Sequence, residues 1–136
     1  MAIPDDQWEE LVAALRRPEN SEEACSSAER VHREASLEDM PRLMHLLKDD
    51  EAFAREAAAW PISELVGIPA LRELLIAYQQ GLDEGLDNDG FTAALIDLVQ
   101  VNPTEAMVTL QLLARDHDKS LRENALWLLQ FASSGD

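Results

Sequence analysis

Cysteine, aromatic side chains and positive charge are all scarce in this chain of 136 residues, and each shortage excludes something. Cys25 is the one cysteine, so no internal disulfide can form. Its surroundings, EEACSSAE, are acidic, which makes it a poor candidate nucleophile. No apolar run approaches the ~18 residues that cross a bilayer. The opening residues MAIPDDQWEE carry neither the basic nor the apolar region of a secretory leader. Together these absences predict a reducing, cytoplasmic setting. Three Trp, one Tyr and three Phe are the whole aromatic complement. Val and Ile are few beside Leu and Ala, and no segment alternates with period two, which argues against sheet.

Eleven Lys and Arg face twenty-seven Asp and Glu, a formal net charge of −16. A surface this acidic repels phosphate backbones and anionic headgroups, so neither nucleic acid nor a membrane is an expected partner. Motifs for chemistry are missing as well. His32, His45 and His117 form no i, i+4 pair and no H-E-x-x-H, so no metal site is predicted. No G-x-S-x-G, P-loop or Gly-rich turn after a strand is present, and neither a cofactor nor a catalytic residue is expected. LDEGLDNDGF fails as a calcium loop: with Gly90 at the sixth position, Gly85 and Ile96 would stand where carboxylates are needed.

What the chain does have is helical periodicity. Trp8, Leu11, Val12 and Leu15 form one stripe after Pro4, and Pro18 and Asn20 stop it. A more polar helix runs from Ser21 to about Ala35. Ser36 with Asp39 reads as a variant capping box before Leu43, Leu46 and Leu47. A helix over 51–66 ends at Gly67, and Pro69 opens the next, with Leu71, Leu74, Leu75 and Tyr78. Residues 81–90, GLDEGLDNDG, read as an oversized loop before Phe91, Ala94, Leu95 and Leu98. Asn102-Pro103 breaks that helix, 104–115 forms another, DHDK turns, and a last helix carries Leu121, Ala125 and Leu128. The tail SSGD is expected to fray. This predicts one all-α domain over 1–136, with six to eight helices.

REAAAW, Arg55 to Trp60, returns sixty-seven residues later as RENALW, Arg122 to Trp127. Each copy follows a Leu-Leu pair and an acidic turn. A third pair, Leu74-Leu75, lies between, and the three pairs are 28 and 38 residues apart. Spacings of this size in paired helices are those of stacked repeats. Leu46 to Leu71, with its leucines, Asp turn, Arg, small residues and Gly-x-Pro-x-Leu, resembles the HEAT-repeat family and its short bacterial relatives; Leu112 to Leu129 is a second match. The middle pair has Thr92 where the arginine would stand. The resemblance implies a right-handed alpha-alpha superhelix of three to four helix pairs, with 1–36 as N-terminal capping helices and 37–132 as HEAT-like units. It also implies hydrogen-bonded ladders of Asp50 with Arg55 and of Asp116 or Asp118 with Arg122. Trp60 and Trp127 are expected as buried core anchors.

Between Arg72 and Arg115 there is no Lys or Arg, while Asp83, Glu84, Asp87, Asp89 and Asp97 fall there beside Phe91. Carboxylates around an aromatic anchor fit a basic protein surface. The expected function is therefore a non-enzymatic binding module for a basic protein partner, most concretely an inhibitor or immunity protein against a cationic toxin. Two alternatives are a scaffold or regulatory subunit using a concave solenoid face, and a HEAT-like lyase-type enzyme acting on a bilin.

Overall fold

The computed structural model describes residues 1–132; the expected fraying of 133–136 lies outside them. It is all-α, with no strand among the described residues. The helices are α1 (Asp5–Leu15), α2 (Ser21–Glu34), α3 (Met40–Leu46), α4 (Ala52–Leu65), α5 (Leu71–Asp83), α6 (Asp89–Val101), α7 (Pro103–Leu113) and α8 (Lys119–Ala132). Short 3-10 turns, Leu37–Asp39 and Ile68–Ala70, lead into α3 and α5. By packing, the chain divides into two compact units, Met1–Leu65 and Val66–Asp136.

In the first unit α4 is the common partner, packing against α1, α2 and α3. Its alanines explain this: Ala54, Ala57, Ala58 and Ala59 are all buried, and side chains this small let three helices approach one. Leu15, Val31, Leu43 and Ile62 fill the centre at 0% exposure. Residues 1–36 thus form half of this unit, α2 burying Ala24 and Val31. In the second unit α8 takes the same place and meets α5, α6 and α7, around Leu71, Leu74, Leu95, Leu110 and Leu128.

The punctuation read from the sequence forms locally. Gly67 adopts φ 78° at the end of α4, a conformation that favours glycine. Asp39 accepts the Ser36 N–H at 3.0 Å, the acid half of the capping box. One boundary differs. Helix α5 passes through Gly81 to Asp83, and Asp89 already belongs to α6, so the connection is Glu84 to Asn88 and is not oversized. Gly81 sits inside the helix because Asn88 packs on it: an added Cβ would lie 2.3 Å from Asn88 Oδ1. Asn88, at φ 57°, donates from Nδ2 to the Tyr78 carbonyl at 2.8 Å and so closes the turn.

Candidate functional site

The acidic turns before α4 and α8 are built alike, and Arg55 with Asp50 and Arg122 with Asp116 are hydrogen-bonded through the main-chain carbonyls of the turns. Arg55 Nη1 donates to the main-chain carbonyls of Asp49 and Asp50, at 2.8 and 3.1 Å. Arg122 Nη1 does the same to Asp116 and His117, at 3.0 and 3.1 Å. The guanidinium therefore holds peptide oxygens left over where the preceding helix ends. Asp50 contributes its carbonyl to this contact, and its side chain is exposed. The carboxylates at work are Asp49 and Asp116. Asp49 accepts from Arg16 Nη2 at 2.6 Å and from the Glu51 N–H at 2.9 Å. Asp116 accepts from Arg72 at 2.6 Å and from the Asp118 N–H at 2.9 Å. Asp118 instead caps α8, accepting the Leu121 N–H at 3.0 Å.

Burial raises the Asp49 pKa, but the Arg16 and Glu51 hydrogen bonds outweigh it and hold the carboxyl below its ordinary value. The Arg72 hydrogen bond lowers Asp116 in the same direction. A depressed native pKa contributes stability that is complete above the unfolded-state value, near 4, and is lost as pH falls through the folded one. Asp49→Asn is therefore expected to be less stable than the parent at pH 7, with the gap closing below about pH 4. Urea midpoints measured from pH 7 to 3 check this, and a gap independent of pH would contradict it.

In the proposed partner patch, Asp83, Glu84, Asp87, Asp89 and Asp97 are all exposed. No Lys or Arg forms an ion pair with Asp83, Asp87, Asp89 or Asp97 among the described residues, whereas Arg72 and Lys119 are engaged with Asp116 and Glu123. Phe91 is a correction: it is 3% exposed, packed 6.0 Å from the Tyr78 ring, and belongs to the core. As the first apolar residue of α6 it faces inward to cover Tyr78, so it cannot anchor a partner.

Apolar surface comes instead from Ile76, 53% exposed on α5. Ile76, Gln79, Gln80 and Asp83 share one helix face, and with Asp118, Ser120 and the Leu75–Leu121 floor they line an open groove of about 310 Å³. Asn124 donates to Gln79 Oε1 at 2.9 Å, and Gln79 Nε2 donates to Asp83 at 2.8 Å, a relay that orients the carboxylate. The i, i+3, i+4, i+7 spacing of these α5 residues is visible in the sequence. That Asp118 and Asn124 join them is not.

No protein family, curated protein or solved structure matches the chain.

The tryptophans are the second correction. Neither Trp60 nor Trp127 is fully buried; both are partly exposed. Trp127 lies flat on Tyr78, centroids 5.5 Å apart and planes within 2°, with Phe131 edge-on at 5.6 Å. Trp60 meets His32 at 6.0 Å and 36°. His32 Nε2 in turn bonds Glu64 at 2.7 Å. Ala58 and Ala125, two places before each Trp in the helix, take the fully buried positions, which turns the large rings toward the rim. Among the described residues no group of three or more His, Cys, Asp or Glu is placed to hold a metal ion, and no helix is long and apolar enough to cross a membrane.

Proposed function

We propose that this protein is a non-enzymatic module, built of HEAT-like stacked helix pairs, that binds a basic protein in the manner of an inhibitor or immunity protein. The observation that carries the reading is the set of exposed carboxylates in 83–97, four of which have no cationic partner among the described residues. Such charges cost little in water, and they attract a cationic surface strongly once it approaches. The groove at Ile76 supplies apolar contact and a socket in which a lysine or arginine stem could lie with its head at Asp83 and Asp118.

A column carrying the protein, charged with native lysate at low ionic strength, is expected to retain basic proteins that about 0.5 M salt releases. The variant Asp83→Asn/Asp87→Asn/Asp89→Asn is expected to lose at least about tenfold in affinity, mostly through slower association. Retention of neutral or acidic partners alone, insensitive to salt and to the three substitutions, would sink the proposal.

The scaffold reading is favoured by a different observation: Val108 and Leu112 are 58% and 66% exposed, one turn apart on α7. Binding that survives the three substitutions but fails with Val108→Asp/Leu112→Asp would support it.

A further inference from the structure

Helix α7 and the turn that ends it differ in charge from the rest of the chain. Residues 103–115 hold one acid, Glu105, and one base, Arg115, whereas the whole protein has a formal charge of −16. Both side chains are exposed, and neither forms an ion pair among the described residues. Glu105 stands in the first turn of α7. Arg115 lies just past its end, where the N–H still donates to the Leu112 carbonyl at 3.1 Å and keeps the helical course. The rise of the helix sets the two charges about 15 Å apart along the axis, out of each other's reach. Between them, on the same stripe, stand Val108 and Leu112, both more than half exposed. The order along the stripe is acid, apolar, apolar, base, at steps of three, four and three residues. It reads the same from either end, with the charges exchanged.

We propose that this face pairs with the same face of a second copy of the chain, the two α7 helices running antiparallel about a two-fold axis. Glu105 then meets the partner's Arg115 at each end, and Val108 meets the partner's Leu112 between them, so one symmetry operation satisfies every contact. A parallel pairing would set acid on acid and base on base. Charge also decides against a basic occupant. A cationic protein gains little from a face whose one acid is matched by Arg115, and the 83–97 carboxylates offer it far more. A second copy, as acidic as the first, is repelled from most of the surface and meets no net charge here. The scaffold reading leaves the same apolar pair to a foreign protein; the charges at its two ends assign it to this chain. The inference does not rest on the 83–97 carboxylates, and capture of a basic protein can fail without touching it. A single helix pair buries less than the ~1,200 Å² of a standard interface, so the dimer is weak, with a Kd on the order of 0.1 mM.

Sedimentation velocity of the full-length protein, from about 10 µM to 1 mM at about 0.15 M salt, is expected to show monomer giving way to dimer. Val108→Asp/Leu112→Asp, with unchanged circular dichroism, should stay monomeric. Glu105→Arg and Arg115→Glu each set like charges at both ends, and each should weaken the dimer at least about tenfold. Two recoveries are specific to antiparallel pairing. An equimolar mixture of these single variants should dimerise as the parent does, because each supplies the charge the other has lost. The double variant Glu105→Arg/Arg115→Glu should do the same by itself. A monomer throughout the range would overturn the proposal and leave the face to a foreign partner. So would a dimer indifferent to the single reversals, or a loss that neither the mixture nor the double variant repairs.

Discussion

Replacing Arg55 by Met lowers the stability of the protein by about 3 kcal/mol, against about 1 kcal/mol for Arg122→Met. The two arginines occupy the same place in the repeat and make the same pair of bonds to turn carbonyls. Burial separates them: Arg55 is 2% exposed, whereas Arg122 is partly exposed and water can replace it. Met keeps most of the volume, so the loss at position 55 reports polar contacts removed from a dry place, the two turn carbonyls among them, and not a cavity. Urea unfolding of the two variants measures the difference. Equal costs would mean that solvent reaches the Asp49–Asp50 turn as freely as the Asp116–His117 turn.

Asp39→Ala is expected to cost a similar amount, about 3 kcal/mol, because one fully buried carboxylate serves three donors. It accepts the Ile3 N–H at 3.2 Å, the Ser36 N–H at 3.0 Å and the guanidinium of Arg42. Arg42 also donates to the Ile3 carbonyl at 2.7 Å and lies over the Trp8 ring at 4.6 Å. The N-terminal segment is thereby fastened to the start of α3. Burial raises the Asp39 pKa, and the Ser36, Arg42 and Ile3 bonds bring it below its ordinary value, so the carboxylate is charged throughout the neutral range. Arg42→Ala removes part of the same network. The double variant is therefore expected to cost clearly less than the two single losses added together, and strict additivity would refute a shared network. Amide exchange at Ile3 provides a local readout, since its protection depends on the carboxylate.

Much of the local structure was legible because its causes are local. Ser36 with Asp39, Gly67, Pro69 and Asn102-Pro103 each act on their own backbone, and each marks a helix end where expected. Gly81 was misleading for a non-local reason: it reads as a stop, but it makes room for Asn88, seven residues on. The candidate site was legible as a charge imbalance and not as a geometry. Exposure of Asp83, Asp87, Asp89 and Asp97 follows from their chemistry. The inward turn of Phe91 was legible within α6, where Phe91, Ala94, Leu95 and Leu98 recur at i, i+3, i+4 and i+7; the ring it meets, Tyr78, was not.

The amino-acid sequence alone determined that the chain is helical, where its turns fall, how acidic it is, and that one arginine-bearing helix start occurs twice. Only the tertiary structure decided which acid each guanidinium reaches. Arg16 meets Asp49 across 33 residues and Arg72 meets Asp116 across 44, while Arg55 and Arg122 each hold a pair of turn carbonyls. It also decided that one tryptophan is covered by a tyrosine and the other is left beside an open groove. The reason is the range of the forces: backbone sterics and capping act over a few residues, whereas the pairing of faces depends on how whole helices pack.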